Sequence, residues 1–176
     1  MALLARAIEQ SIVAKDGRSE SRCYHLMGEA QMLLGRLEEA HAFAEHALAL
    51  AHELQERQSR IYSLRLLGEI AMHREPPAVE QAEAYYRQAL AWAEELCLRP
   101  LQAHCHLGLG TLYTKVDRPE QARVALSTAI ALYRAMEMTF WLPRAEAVLA
   151  SVAESGLRDR RAGSEVLNAR RQTAIL

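Results

Sequence analysis

Small residues return at a fixed interval along this 176-residue sequence. A glycine or alanine follows an alanine by 21 residues at four places: Ala7 to Gly28, Ala47 to Gly68, Ala89 to Gly110, and Ala129 to Ala150. The resulting period is 40 to 42 residues, because two extra residues fall in the segment HREPPAVEQ of the second unit. Units of this length stack on their neighbours, and small residues let the stacked backbones approach closely. The spacing therefore predicts a chain built from similar stacked units.

Each unit has the pattern of two amphipathic helices joined by a short turn. In the first helix of the second unit, Leu64, Leu67 and Ile70 recur at helical spacing. In the turn of the third unit, Asp117 is predicted to cap the following helix, and Pro119 fits its first turn, where a missing N–H is tolerated. The unit is therefore predicted to be a helix pair.

Composition and charge agree with a helical protein and exclude several classes. Hydrophobic residues make up 51% of the chain but aromatic residues only 6%, so the apolar content is mostly Ala and Leu, which favour helices. The net charge of -1 provides no basic surface for nucleic acid. Three cysteines without a CxxC pair are typical of reduced, cytoplasmic thiols. The N-terminal MALLARAIEQ is no signal peptide, and no stretch approaches the ~18 apolar residues of a membrane span.

The repeating residues also form a known motif. In the third unit this set comprises Leu109, Gly110, Tyr113, Ala122, Leu126 and Ala129. The pattern resembles the tetratricopeptide repeat over residues 3 to about 155. The resemblance implies an all-α, right-handed solenoid of antiparallel helix pairs, each with a helix A and a helix B. Because the period exceeds the usual length of about 34 residues, the helices are expected to be one to two turns longer.

The same alignment predicts the organisation of the chain. The repeat domain is expected over 1–155, and its parts are a partial helix B at 1–20, repeats at 21–60, 61–102 and 103–142, and helix A of a terminal repeat at 143–155. The polar, Arg-rich segment 156–176 is expected to be a capping helix or a partly disordered tail.

A narrower resemblance concerns the second half of the chain. The segments EQAEAYYRQALAWAEEL, RPLQAHCHLGLGTLY and YRAMEMTFWLPRAEA look like the C-terminal repeats of large bacterial signalling ATPases. In those proteins a cyclase-like or regulatory domain and an ATPase domain precede the repeats. Residues 2–15 align with a helix B whose helix A is missing, so the chain is expected to be a fragment of a larger protein.

The segment AHCHLGLGTLY is the strongest candidate for chemistry. His104, Cys105 and His106 suggest a metal site or a nucleophile with its base, and the following GLG suggests a phosphate loop. Successive helical positions point about 100° apart, so these three side chains cannot converge on one metal. The GLG sequence has no preceding strand and no following lysine. Because Cys105 aligns with small residues in the other units, packing is the favoured reading. We expect no catalytic residue, no metal and no cofactor, and therefore no enzyme.

The inner face of the stacked A helices is the expected binding surface. Counting along each helix A predicts a groove lined by Arg22, His25, Glu29, Met32, Tyr62, Arg65, Glu69, Met72, His73, His104, Leu107, Thr111, Thr114 and Lys115. Such mixed Arg, Tyr, Met and His surfaces suit the capture of a peptide or helix. A solvated polar face without a ligand is the alternative reading.

The end of the repeat region suggests a second role. Phe140 and Trp141 precede Pro143 at a helix start, where they either staple the last hairpin or form an exposed edge for self-association. The sequence thus predicts a cytoplasmic, non-catalytic scaffold for protein–protein interaction, with a peptide or partner domain in the groove and neither nucleic acid nor membrane as partner. Self-association through the open ends of the solenoid, giving a homodimer, is the alternative.

Overall fold

The computed structural model describes residues 2–154, and these residues form helices without a strand. The helices are α1 Ala2–Ala14, α2 Gly17–Leu33, α3 Leu37–Glu53, α4 Arg57–His73, α5 Val79–Glu95, α6 Arg99–Lys115 and α7 Pro119–Ala135. An eighth helix, α8, covers residues 142–154 of the described part. The predicted capping helix or tail at 156–176 lies outside the described residues.

The helices are arranged as a solenoid of antiparallel pairs, which confirms the predicted fold class. Each of the helices α1 to α6 packs against the next one along the chain, and Ala129 and Tyr133 of α7 share a buried cluster with Ala145 of α8. In addition α2 packs against α4 and α4 against α6, whereas α3, α5 and α7 make no contact with one another. The A helices α2, α4 and α6 therefore stand side by side along one face, and the B helices α3, α5 and α7 spread apart on the other. This spacing makes the A-helix face the concave one.

The helix boundaries differ from the repeat boundaries expected from the alignment. The A helices begin at Gly17, Arg57 and Arg99, four residues before the expected repeat starts at 21, 61 and 103. Each helix from α2 to α7 has 17 residues, so each spans about 25 Å. Three residues connect α2 to α3 and α6 to α7, whereas five connect α4 to α5. The longer connection lies in the segment HREPPAVEQ, where the repeat alignment has its two extra residues.

The ends of the helices from α1 to α7 share one backbone conformation except at α4, where the C-cap residue Arg74 is extended. Shortly after its last helical residue the chain adopts a positive φ at Lys15, Gly35, Gln55, Cys97, Asp117 and Glu137. The prediction that Asp117 caps α7 is wrong, because its φ of 55° places it in the left-handed turn that ends α6. Arg118 occupies the N-cap position instead and makes no side-chain capping bond. Pro119 is the first residue of α7, as predicted.

The small residues of the repeat form the contacts between helices. All of the aligned helix B alanines of repeats 1 to 3 are fully buried: Ala40, Ala44, Ala47, Ala82, Ala89, Ala122 and Ala129. A Cβ on Gly110 would lie 2.5 Å from Cγ of Leu126, which is closer than two carbon atoms can approach. Glycine at this position thus lets helix A touch helix B of the same repeat.

Side-chain sizes compensate each other at the junction between successive repeats. Between the first two repeats, Ala44 of α3 packs with the fully buried Leu66 of α4. At the corresponding junction, Tyr86 of α5 faces Gly108 of α6, where a Cβ would lie 2.4 Å from Cε1 of Tyr86. At the first junction a small residue of the B helix is paired with a large residue of the next A helix. At the second junction the B helix has the large residue and the A helix the small one, and the two fill the same space.

Candidate peptide-binding groove

Two adjoining cavities run along the concave face. The first cavity lies between α2 and α4 and has a volume of about 370 Å³. The second cavity has a volume of about 790 Å³ and extends from α2 across α4 and α6 to α8. Glu29, Tyr62 and Arg65 line both cavities, so the two are sections of one groove. We call this surface the groove.

The structure brings thirteen of the fourteen predicted groove residues together. The first cavity is lined by Arg22, His25, Glu29, Tyr62 and Arg65. The second is lined by Glu29, Met32, Tyr62, Arg65, Glu69, Met72, His73, His104, Leu107, Thr111 and Lys115. Thr114 lines neither cavity. Its hydroxyl donates to the carbonyl of Gly110 at 2.8 Å, one turn back along its own helix.

The last helix contributes residues that the sequence analysis did not assign to the groove. Trp141, Arg144, Ala147 and Val148 close the far end of the second cavity. Helix A of a terminal repeat is expected here, and counting its inward positions as in the other repeats gives Arg144 and Ala147 but not Trp141 or Val148. Phe140 is 74% exposed and contacts Trp141 edge to face at 5.4 Å. The two aromatic residues thus differ in their surroundings, because Phe140 is exposed to solvent and Trp141 lines the groove.

A half-buried ion-pair cluster occupies the middle of the groove. The Arg65 side chain is 14% exposed, and its guanidinium donates to Glu29 at 2.9 Å and to Glu69. Nε2 of His25 lies 3.4 Å from the same Glu29 oxygen. The hydrogen bond from His25, followed by the charges of His25 and Arg65, lowers the pKa of Glu29. Burial disfavours the Arg65 charge, but the two carboxylates outweigh it and raise the pKa of Arg65. The Glu29 carboxyl group is therefore held in its ionised form beside the guanidinium.

Two buried side-chain atoms in the lining of the second cavity have no hydrogen-bond partner among the described residues. They are Nε of Arg65 and the hydroxyl oxygen of Tyr86. Tyr86 is fully buried, and its ring lies against Gly68 and Gly108 while the residue lines the second cavity. Buried polar groups in folded proteins are nearly always paired, so an unpaired one requires an explanation. Nothing in the sequence pattern indicated these two atoms, because Tyr86 occupies a packing position of the repeat.

His104 belongs to an aromatic wall at the far end of the second cavity. Its Nδ1 is hydrogen-bonded to the Tyr133 hydroxyl at 2.8 Å, and its ring meets Trp141 edge to face at 4.6 Å. The Arg144 guanidinium lies 5.1 Å from the centre of the Trp141 ring, which is cation–π distance. Burial, and then the positive charge of Arg65, lower the pKa of His104 to about 4. His104 is therefore neutral at physiological pH.

The neighbouring candidates for chemistry are packing residues. Cys105 is fully buried in a cluster with Ile61 and Leu64. Burial raises the pKa of its thiol to about 12, which leaves no thiolate at neutral pH. His106 is half-buried, and burial lowers its pKa. Within residues 2–154 no group of three or more His, Cys, Asp or Glu side chains is placed to hold a metal ion. None of the helices in that part is both long and apolar enough to cross a bilayer.

Comparison with known families agrees with this architecture. One tetratricopeptide repeat model matches residues 59–135 and a second matches residues 21–52, together well over half of the chain. The chain belongs to the tetratricopeptide repeat family. Proteins of this family generally mediate protein–protein interactions and are typically non-catalytic scaffolds.

A solved structure supports the fold independently. The crystal structure of BtubC (BKLC) from P. vanneervenii superposes with a TM-score of 0.68 at 22% sequence identity. The match covers 89% of this tetratricopeptide repeat chain and 64% of the BtubC chain, so this chain spans less than two thirds of that protein. No curated protein sequence matches the chain significantly.

Proposed function

We propose that this tetratricopeptide repeat chain is a non-catalytic scaffold that binds a peptide segment or partner domain of another protein in the groove. The observation that carries the proposal is the continuous groove along α2, α4, α6 and α8, whose lining includes thirteen residues at the inward positions of three successive repeats. Its larger cavity has the size of a typical ligand pocket, about 300–1,000 Å³. The groove is longer than one side chain requires, which favours an elongated segment as the occupant.

The lining has the composition of a protein-binding surface. Tyr62 is 37% exposed at the border between the two cavities, and Met32 and Leu107 are half-buried in the second. His73 and Lys115 are exposed at its edge. Accessible apolar and aromatic side chains surrounded by a polar rim are the usual arrangement where one protein surface captures another. A merely solvated face would not need Met and Leu side chains beside Tyr62.

Self-association is a second candidate, supported by the two ends of the described solenoid. Leu3 and Val13 of α1 are each 84% exposed at one end, and Phe140 is 74% exposed before α8 at the other. Exposed apolar side chains at open ends favour end-to-end contact between copies, giving a homodimer. Light scattering over a range of concentrations tests this. A monomer mass throughout would remove the candidate.

The origin of the chain is a further part of the proposal. The likeness of segments 80–96, 99–113 and 133–147 to the repeats of bacterial signalling ATPases favours a cytoplasmic signalling protein as the parent. In such a protein, the repeats would recruit the partner while other domains carry the activity. We do not expect a cofactor in the repeats themselves.

A matched pair of threonine variants tests the groove. Random dodecapeptides displayed on phage are selected on the immobilised chain, and the dissociation constant of the best peptide is measured by calorimetry. Thr111 lines the second cavity and Thr128 of α7 lines neither, yet the hydroxyl of each donates to the carbonyl four residues before it. Thr111→Arg should weaken binding by a factor of ten or more (about 1.4 kcal/mol), and Thr128→Arg should leave it unchanged. If both variants bind the peptide with the same affinity as the unsubstituted chain, binding in the groove is ruled out.

A further inference from the structure

We infer that the floor of the second cavity recognises a primary amide, the side chain of an asparagine or glutamine in the bound segment, in preference to a carboxylate or an ammonium group. The inference rests on the proposed function, since it names the group by which a peptide in the groove is anchored. It follows from the hydrogen-bonding groups that Arg65, Tyr86, Glu29 and Glu69 present around one space.

Two hydrogen-bond donors at the floor are unused. The terminal nitrogens of Arg65 are occupied by Glu29 and Glu69, but its buried Nε–H has no acceptor among the described residues. The Tyr86 hydroxyl is likewise buried and unpaired. Burial raises the pKa of Tyr86 well above its usual value, so the hydroxyl keeps its proton and remains a donor. Both groups call for an acceptor oxygen from outside the described residues.

These two donors act in the same region. Cζ of Tyr86, which carries the hydroxyl, would lie 3.1 Å from a Cβ on Gly68, which follows Arg65 by three residues on α4. Both Tyr86 and Arg65 line the second cavity. The ring of Tyr86 cannot turn away, because it lies against Gly68 and Gly108 in the core. A carbonyl oxygen that enters this part of the cavity would meet both a hydroxyl donor and a guanidinium donor.

The charges around this space select against ionised ligands. At the floor two carboxylates, Glu29 and Glu69, face the Arg65 guanidinium, whereas the other cations that line the cavity, Lys115 and Arg144, lie at its edge and at its far end. A ligand carboxylate would meet both carboxylates and has no proton to donate. An ammonium group would be attracted to them, but it has no acceptor for Arg65 or Tyr86. A primary amide carries both an acceptor oxygen and a donor NH₂ group, and it has no charge to desolvate.

The surroundings of the floor strengthen this preference. Met72, Leu107 and Trp141 line the same cavity and provide apolar contact for the aliphatic part of the ligand. His104 has its pKa lowered to about 4, so it adds no positive charge that would attract a carboxylate. Hydrogen bonds formed among apolar side chains are less exposed to competition from water. The amide group and the carbon chain of Asn or Gln thus fit the floor and its wall together.

Three small probes of nearly equal shape test the inference on the full chain. Isocaproamide, isocaproate and isohexylammonium share one aliphatic tail and differ in the head group. Each is titrated into isotopically labelled protein while NMR follows the Arg65 Nε–H and Trp141 indole signals. The amide is expected to shift both signals and to bind about fivefold or more tightly than either charged probe, which is the effect of one to two hydrogen bonds.

The variant Tyr86→Phe removes one donor and keeps the ring. Because the hydroxyl has no partner, the variant should fold, which circular dichroism verifies. It should weaken isocaproamide binding about two- to tenfold and leave the two charged probes unchanged. Stronger binding of a charged probe, an unchanged amide affinity in Tyr86→Phe, or no shift of the Arg65 signal up to the solubility limit of the amide would each overturn the inference. Failure of the proposed function is separate, since it appears as peptide binding that survives Thr111→Arg.

Discussion

The contact between Tyr86 and Gly108 gives a quantitative test of how the repeats fit together. Gly108 has no room for a side chain, because a Cβ there would lie 2.4 Å from Cε1 of Tyr86. At the equivalent junction between the first two repeats, the small partner is Ala44 and the large one is Leu66. We therefore consider the single variants Tyr86→Ala and Gly108→Leu, and the double variant that copies the Ala44–Leu66 pair.

The expected free energies follow from cavity formation and overpacking. Tyr86→Ala empties a fully buried site and should destabilise the fold by about 3–5 kcal/mol. Gly108→Leu forces a side chain into an occupied space, which costs about 1–3 kcal/mol. In the double variant the leucine fills the space vacated by the ring. The loss should then be only about 1–2 kcal/mol, so that the coupling between the two sites amounts to about 2–7 kcal/mol.

Urea unfolding followed by circular dichroism at neutral pH measures these differences. The m value, the slope of the unfolding free energy against urea concentration, must agree among the four proteins. A different m value would indicate that unfolding is no longer two-state. If Gly108→Leu does not fold, Gly108→Ala takes its place in the cycle. A double variant whose loss equals the sum of the single losses would refute the account of complementary sizes.

Three further predictions concern single residues. The pKa of His104 falls from 6.5 to about 4 on folding, so its contribution to stability is complete above pH 6.5 and is lost as the pH falls toward 4; the unfolding free energy should drop by roughly 2 kcal/mol over this range, and His104→Gln should flatten the profile. At the helix ends, Gln55→Gly should raise the free energy of unfolding and Gly35→Ala should lower it, each by about 1 kcal/mol, because both positions have positive φ. The melting temperatures of the two variants should therefore shift in opposite directions, and unchanged melting temperatures would contradict this. Thiol labelling at pH 8 should modify the exposed Cys97 in the native protein and the buried Cys105 only after unfolding; rapid native labelling of Cys105 would show that its packing is misassigned.

The repeat architecture was predictable because its signal is steric and periodic. A position where two helices touch accepts only a small residue, so the spacing from Ala47 to Gly68 and from Ala89 to Gly110 encodes the stacking directly. The groove positions followed from the same register, since the inward face of a helix A is determined once its buried face is known. Thr114 was assigned to the groove by counting, but it lies outside both cavities and bonds to its own helix.

Other features depend on the three-dimensional surroundings of a residue and were not predictable in this way. Asp117 has a side chain that can cap a helix. It lies, however, at the position of the turn that requires a left-handed backbone conformation, with a positive φ, and this prevents it from being the N-cap residue. Tyr86 was interpreted only as a packing residue, because whether its hydroxyl finds a partner depends on side chains from other helices. Trp141 was interpreted as a staple or an exposed edge, and its place in the groove wall became visible only with α8 in position.

A chemical-shift map of a bound peptide tests the central claim most directly. The dodecapeptide selected on the chain is added to isotopically labelled protein, and the backbone amide shifts of residues 2–154 are compared before and after binding. The account predicts that the largest shifts fall on α2, α4, α6 and α8, with Tyr62, Arg65 and Thr111 among them. Shifts confined to the B helices α3, α5 and α7, or to the exposed residues of α1, would contradict it.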